Sequence, residues 1–256
     1  MISKSKLKEL SGYKQQKLCD EERVFVVEGV KMCQEALDAN LPVKVVCGTN
    51  LWLSQHPDLP NSAEVVEVDG VALERLSSMK SPNEAWMLVG RPSEELPCTH
   101  SEADGGEVVL ALDHLQDPGN LGTIIRTADW FGIRHIVCSE GTVSCYNPKV
   151  VQSTMGGLFR THVHYADLPG YLASCGRAVF GALLDGEDIW SPSRPLQLPE
   201  GGAVLVIGNE SRGITPEVQQ LVTHRVAIPN IGGTAESLNA SVACAILIAE
   251  LCRSTR

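Results

Sequence analysis

Short runs of apolar and β-branched residues alternate with helical patterns along most of the chain. The first half has predicted strands at 24–27, 43–47, 64–68 and 86–89, and predicted helices at 4–18, 29–40 and 70–78. The second half has predicted strands at 108–112, 134–138, 178–184, 203–207 and 224–228, and predicted helices at 120–131, 168–175, 216–222 and 237–251. Strands separated by helices are typical of a parallel sheet covered on both faces. We therefore predict an α/β protein.

A polar stretch without periodicity separates the two halves. Residues 91–106 read RPSEELPCTHSEADGG, with two prolines, four acidic side chains and a double glycine. This composition is typical of a linker. We therefore predict a first domain at 1–92, a linker at 93–106 and a second domain at 107–256.

Ligands bind parallel sheets at the loops that follow the strands, and the first such loop opens the stretch LDHLQDPGNLGTIIRTADWFG, residues 112–132. A DPG turn at 117–119 precedes Asn120, which we expect to cap the following helix. Arg126 points about 150° away from the centre of the helix's apolar stripe. That position indicates either plain solvent exposure or a functional side chain facing a ligand.

Two more loops have a similar character. In VLVIGNESRGITPEV, residues 204–218, an apolar strand ends in Gly208, and a glycine there allows a ligand or a backbone to come close. In IPNIGGTAESLNASVACAILIAE, residues 228–250, a glycine-rich polar lead-in precedes an apolar helix. Residues 242–249 of that helix are apolar on every side, so we expect a second subunit to cover the face that the sheet does not.

The net charge of −10 argues against a protein that coats nucleic acid by bulk attraction. The charge is uneven, however, because residues 1–18 hold five lysines and one glutamate, a local charge of +4. The lysines are Lys4, Lys6, Lys8, Lys14 and Lys17. They indicate either a solvated helix face or a contact with RNA phosphates, with about equal weight.

Nine scattered cysteines include no CxxC pair, which favours buried thiols in a reducing cytoplasm over a zinc or redox site. His162 and His164 alternate as they would in a strand, so we expect no metal. The first ten residues lack the apolar segment of a signal peptide, and the longest apolar run is too short to span a membrane.

Taken in order, the three loops closely resemble the three motifs of the SpoU (TrmH) family of RNA ribose 2′-O-methyltransferases, within the SPOUT superfamily. The resemblance covers nearly all of residues 107–252. The segment FVVEGVKMCQEAL, residues 25–37, resembles the L30e-like substrate-binding domain that many members carry. The resemblance implies a C-terminal parallel-sheet SPOUT domain with a deep trefoil knot, a smaller α/β N-terminal domain, S-adenosyl-L-methionine as cofactor, and a homodimer that methylates ribosomal or transfer RNA.

The resemblance also implies roles for single residues. The residues expected to be catalytic are Asn120, Arg126, Glu210, Ser237 and Asn239. Those expected to hold the cofactor are Leu184, Gly208, Asn209, Ile228, Pro229, Gly233, Ser237 and Leu238. Arginine hardly deprotonates, so Arg126 is not expected to accept the proton of the hydroxyl. It is expected instead to bind an RNA phosphate and to stabilise charge on the attacking oxygen. Glu210 is expected to orient Arg126 or Asn120, and the general base stays open.

One loop departs from the family pattern. The connection between Pro229 and Ser237 is one residue longer than usual, and Asn230 stands where methionine is common. Because the cofactor contacts are expected to come from the backbone, Asn230→Met is expected to leave cofactor binding nearly intact.

Two other function classes are weighed against the methyltransferase. A Rossmann-type enzyme would have a glycine-rich fingerprint after its first strand, and DHLQDPGN, residues 113–120, does not match it. A catalytically silent RNA-binding protein of the same fold would not need the whole set of polar residues. The N-terminal domain favours ribosomal RNA over transfer RNA as the substrate.

Overall fold

The computed structural model describes residues 2–92, 107–193 and 196–253, so the predicted linker at 93–106 lies outside the described residues. The chain divides into two compact units. One comprises Met1–Ser93 and Tyr146–Phe159, and the other comprises Glu94–Cys145 and Arg160–Arg256. Each unit is built around its own sheet.

The first unit follows the predicted alternation of helices and strands. Its helices are α1 (Lys4–Ser11), α2 (Gln16–Glu21), α3 (Val30–Asp38), α4 (Asn50–Gln55) and α5 (Gly70–Leu76). Its strands are β1 (Val24–Glu28), β2 (Val43–Gly48), β3 (Glu64–Glu67) and β4 (Ala85–Gly90). The sheet has the order β1-β4-β2-β3 and is mixed, because β4 pairs antiparallel with β1 and β2 while β2 and β3 are parallel.

The single helix predicted at 4–18 is wrong. Helix α1 ends at Ser11, a 3-10 turn spans Gly12–Lys14, and α2 begins at Gln16. The break turns Tyr13 into the core, where its hydroxyl donates to Glu22 at 2.6 Å. Helix α4 was not predicted. The Thr49 hydroxyl caps it by accepting from the backbone N–H of Trp52 at 3.2 Å, and the Trp52 side chain is buried.

The remaining elements of the chain begin at Val108. The strands are β5 (Val108–Leu112), β6 (His135–Ser139), β7 (His162–Ala166), β8 (Ala178–Asp188), β9 (Ala203–Ile207) and β10 (His224–Ala227). The helices are α6 (Pro118–Trp130), α7 (Pro148–Thr154), α8 (Leu168–Ser174), α9 (Pro216–Gln219) and α10 (Ala240–Arg253). All six strands form one parallel sheet in the order β10-β8-β9-β5-β6-β7. The predicted α/β class and parallel sheet are confirmed.

Helix α7 belongs to the first unit although it lies far along the chain. The ring of Tyr146, just before it, lies 5.0 Å from the ring of Phe25, and the Gln152 side chain donates to the backbone oxygen of Glu28 at 2.8 Å. The sequence pattern did not predict this helix. Its partners lie more than a hundred residues earlier, so no local periodicity reports them.

The strand order brings three loops of the second unit to one edge of the sheet. Strands β5 and β9 are neighbours, β8 lies beside β9, and the chain passes from β9 across β8 to form β10. Since all these strands are parallel, the loops that follow them lie on the same side.

Among the described residues, no helix combines the length and the apolarity that crossing a bilayer would take.

Candidate active site

A cavity of about 860 Å³ lies beyond the carboxyl ends of β8, β9 and β10, next to the start of α10. Its size is within the usual range for small-molecule sites. All eight residues expected to hold the cofactor line it: Leu184, Gly208, Asn209, Ile228, Pro229, Gly233, Ser237 and Leu238. The residues that the family resemblance assigned to the cofactor therefore share one cavity, and their separate roles stay predictions.

Gly208 follows the buried strand β9 and allows the loop behind it to fold back closely. A Cβ atom at this position would lie 2.2 Å from the carbonyl carbon of Gly213 and 2.3 Å from the nitrogen of Ile214. Side chains do not tolerate such distances, so only glycine fits here. The close approach that the sequence indicated is made by the protein's own backbone.

Asn209 organises the same loop. Its backbone N–H and C=O both pair with Gly213 at 2.9 Å. Its side-chain oxygen accepts from the backbone N–H groups of Ser211 and Arg212, and its side-chain nitrogen donates to the backbone oxygen of His114 at 2.8 Å. These contacts hold the loop in shape at the cavity wall, and the expected contact between Asn209 and the cofactor stays a prediction.

A chain of hydrogen bonds joins the three loops. The Asn239 side-chain nitrogen donates to the Asn120 side-chain oxygen at 2.9 Å. The Asn120 side-chain nitrogen donates in turn to a carboxylate oxygen of Glu210 at 2.9 Å. We call Asn120, Glu210 and Asn239 the polar network. Of its members, Glu210 also lines the cavity.

The chemistry of its two ends fixes the orientation of the polar network. At one end, the Asn239 oxygen accepts from the backbone N–H groups of Ser241 and Val242 in the first turn of α10. Its nitrogen must then face Asn120. At the other end, a carboxylate oxygen of Glu210 is the acceptor, so Asn120 must present its nitrogen there. Both amide side chains therefore have one orientation that satisfies all their partners.

Asn120 is not the cap of helix α6, contrary to the sequence prediction. The helix begins at Pro118, and the Asp117 carboxylate caps it by accepting from the Asn120 backbone N–H at 2.8 Å. Asn120 therefore lies inside the first turn, where its buried side chain is available to the polar network.

The start of the last helix also differs from the prediction. Helix α10 begins at Ala240 and not at residue 237, because Asn239 caps it. Ser237 and Leu238 consequently lie in the exposed loop that precedes the helix and forms part of the cavity wall. The loop contains Gly232, whose φ of 108° favours glycine.

Arg126 lies exposed on α6, as its position off the apolar stripe predicted. Among the described residues its side chain makes no hydrogen bond or ion pair, so Glu210 orients Asn120 and not Arg126. Arg126 follows Asn120 by six residues, a rise of about 9 Å along a helix. The guanidinium group is therefore available to an external anion.

Two carboxylates near the cavity were missed by the sequence interpretation. Asp113, directly after β5, is buried and accepts from the backbone N–H of Thr215 at 2.7 Å, which ties the second loop to the first. Asp185, in the cavity wall, pairs with Arg225 through both oxygens at 2.7 Å. Hydrogen bonds from the Arg225 guanidinium lower the pKa of Asp185. Each aspartate directly follows one of the predicted strands, 108–112 and 178–184 respectively, and that position is the signal that would have found both.

The N-terminal lysines are not equivalent. Lys6 is partly buried and forms ion pairs with Glu9 at 2.9 Å and with Glu64 at 2.8 Å, and these carboxylates raise its pKa. The Lys6 ammonium group is therefore already paired within the first unit, and its expected contact with RNA stays a prediction. Exposed side chains remain at the other four positions, Lys4, Lys8, Lys14 and Lys17.

No cluster of three or more His, Cys, Asp or Glu side chains suited to a metal ion occurs within residues 2–92, 107–193 and 196–253. His135, His162 and His164 instead stack at the edge of the sheet, with ring centroids 5.3 to 6.3 Å apart. Burial, together with the neighbouring imidazoles, lowers the pKa of His164 to about 4. His164, the buried member of the cluster, is therefore neutral at physiological pH.

Two family models match the chain. The model of the SpoU rRNA Methylase family matches residues 107–249, which include the cavity and the polar network. The model of an MRM3-like substrate binding domain matches residues 4–86 in the first unit.

Known proteins resemble the chain over nearly its whole length. It is 30% identical to the 23S rRNA (guanosine(2553)-2′-O)-methyltransferase RlmP of Bacillus subtilis, over 89% of this chain and 88% of that protein. A solved structure of a TrmH-family protein from Porphyromonas gingivalis has a TM-score of 0.87 and 37% identity, covering 99% of each chain. An AdoMet-bound rRNA methyltransferase from Sinorhizobium meliloti has a TM-score of 0.85 and 27% identity, covering 100% of this chain and 97% of that one.

Proposed function

Since this chain belongs to the SpoU rRNA Methylase family, we propose that it transfers a methyl group from S-adenosyl-L-methionine to a ribose 2′-hydroxyl of ribosomal RNA. The observation that carries the proposal is the cavity beside the polar network, within the segment that matches the family. The similarity to RlmP supports ribosomal RNA as the substrate. The AdoMet-bound relative supports the cofactor.

The residues around the cavity are suited to this cofactor. Leu184, Ile228 and Leu238 offer apolar surface to an adenine ring. In the loop after Pro229, the backbone groups of Ile231 and Glu236 make no hydrogen bond within the described residues and can face the cofactor. The sulfonium of the bound cofactor supplies an electrophilic methyl group. What remains for the protein is to place the ribose hydroxyl in line with it and to stabilise charge.

Arg126 and the polar network divide that task. We assign Arg126 to an RNA phosphate near the target ribose, because the guanidinium is exposed and an arginine binds phosphate through two parallel hydrogen bonds. Asn120, held by Glu210 and Asn239, keeps the first and third loops together beside the cavity. Ser237, at the cavity wall, completes the expected catalytic set.

The first unit is proposed to bind the RNA substrate, with Lys4, Lys8, Lys14 and Lys17 facing phosphates. Its match to a substrate binding domain supports this role.

Buried thiols such as Cys33 and Cys138 support a reducing compartment, and we propose the cytoplasm. The trefoil knot also stays a proposal, supported by the passage of the chain from β9 across β8 to β10.

A homodimer is proposed because helix α10 has an uncovered apolar face. Cys244, Leu247 and Ile248 are buried against the rest of the chain, whereas Val242 and Ala249 are exposed. Exposed apolar surface on a helix that is otherwise buried favours an interface. A second copy would cover this face.

The decisive experiment is methyl transfer in vitro. The purified protein is incubated with radiolabelled S-adenosyl-L-methionine and either ribosomal RNA or transfer RNA, and 2′-O-methylated positions are mapped. We expect label in ribosomal RNA. Label in transfer RNA alone would contradict the substrate, and RNA binding without any transfer would favour the catalytically silent alternative.

A further inference from the structure

The loop from Asn230 to Asn239 joins β10 to α10, and each of its residues is exposed. It nevertheless forms one wall of the cavity, through residues that include Ile231, Gly233 and Leu238. An exposed loop with two glycines loses much conformational entropy when it is ordered. Something in the protein must therefore hold its shape if the wall is to exist before a ligand arrives.

The side chain of Asn230 supplies that support. Its oxygen accepts from the backbone N–H groups of Gly232 at 3.1 Å and Gly233 at 2.7 Å. Its nitrogen donates to the backbone oxygens of Gly233 at 3.0 Å and Ala235 at 3.2 Å. One amide side chain thus bonds to both the N–H groups and the C=O groups of the same turn, and we call this arrangement the Asn230 clasp.

The loop has little other support. Within the described part of the chain, positions 231–238 make no hydrogen bonds beyond those to Asn230. Gly232 has a φ of 108°, which few other residues adopt, so local backbone preferences alone do not favour this turn. A methionine at position 230 would supply none of these hydrogen bonds. This removes the basis for expecting Asn230→Met to be neutral.

We infer that Asn230 is a positioning residue that preforms the cofactor-binding wall of the cavity. The inference rests on the proposed function, since it takes S-adenosyl-L-methionine as the ligand. A preformed wall lowers the entropy cost of binding, so the clasp raises affinity without taking part in methyl transfer.

The test compares Asn230→Ala and Asn230→Met with Asn230→Asp, which keeps the acceptor oxygen and loses the donor. Thr234→Ala is the matched control, since Thr234 lies in the same loop, outside the cavity lining, and makes no hydrogen bond among the described residues. Cofactor affinity is measured by calorimetry. We expect the dissociation constant to rise about tenfold or more in the alanine, methionine and aspartate variants, and not in the control. The aspartate variant belongs with the other two because its second oxygen would face the carbonyl oxygens of Gly233 and Ala235.

Two further readouts separate positioning from a general loss of structure. At saturating cofactor, kcat of Asn230→Ala should stay within about threefold of the wild type, because the clasp acts on binding. Without cofactor, the melting temperature should not change, whereas the amide protons of Gly232 and Gly233 should exchange faster. A dissociation constant within twofold of the wild type would overturn this inference alone. A wild type without affinity for S-adenosyl-L-methionine would overturn the proposed function and this inference with it.

Discussion

At the scale of single residues, the site depends on side chains whose partners leave them one orientation. Asn120 is buried between an acceptor on Glu210 and a donor on Asn239. Each of these hydrogen bonds therefore fixes one loop relative to the next. Arg126 differs, since among the described residues it has no internal partner and faces outward.

Arg126→Ala should abolish most methyl transfer and leave cofactor binding within a few-fold of the wild type. Loss of a charge contact made in the transition state costs roughly a hundredfold in rate. The control is Arg134→Ala, which removes an exposed arginine just past the other end of α6. The measurement is kcat/KM on ribosomal RNA, together with calorimetry. Turnover of Arg126→Ala above about a tenth of the wild type would contradict the assigned role.

Asn120 and Asn239 should be energetically coupled. Removing either side chain leaves the other with an unpaired polar group, so the double variant should lose less stability than the two single alanine variants combined. We expect a coupling of about 1 kcal/mol from chemical denaturation of the four proteins. Simple additivity would mean that the hydrogen bond between the two amides contributes nothing.

His164 should make stability depend on pH. Its pKa is about 4 in the fold, against an ordinary value of 6.5, so the unfolded chain binds the proton more readily. The free energy of unfolding should therefore fall as the pH drops from 6.5 towards 4, and His164 should contribute no pH dependence above that range. His164→Phe should flatten this part of the curve.

At the scale of elements, the buried strands were the most predictable part. Strands β5 and β9 are buried at every position, so they appear in the sequence as continuous apolar runs. Helix α7 was missed because its partners lie in the first unit. The cap of α6 was misplaced because the turn at 117–119 offers Asp117 as well as Asn120, and only the structure distinguishes them. The clasp was missed although its partners lie within five residues of Asn230, because the sequence interpretation gave the loop's backbone groups to the cofactor.

Val242→Glu should dissociate the proposed homodimer without unfolding the subunit. Val242 is 48% exposed in the first turn of α10, where a carboxylate is tolerated in the monomer but would be buried unpaired in an interface. Light scattering after size-exclusion chromatography gives the mass. Val71→Glu, on α5 and 61% exposed, is the control and should not alter it. A wild type that is monomeric at micromolar concentration would contradict the dimer.

At the scale of the whole molecule, S-adenosyl-L-methionine should stabilise the folded chain. At a hundredfold excess over its dissociation constant the gain is about 2.7 kcal/mol, which corresponds to a melting shift of roughly 5 to 10 °C. Because all of the cavity lies in the second unit, a separate transition of the first unit should not move. Calorimetry distinguishes the two. ATP at the same concentration is the control, and no shift up to millimolar cofactor would contradict the proposed function.

The position of the cavity along the chain has a consequence for biosynthesis. Its lining runs from Ala182 to Leu247, and β10, at the edge of the sheet, pairs with β8 alone. A nascent chain that has emerged only as far as Thr223 can form five strands of the sheet, but it lacks the loop and helix that close the cavity. Translation must therefore pass α10 before the cofactor can bind, so an arrested ribosome would hold a folded sheet with no methyl donor.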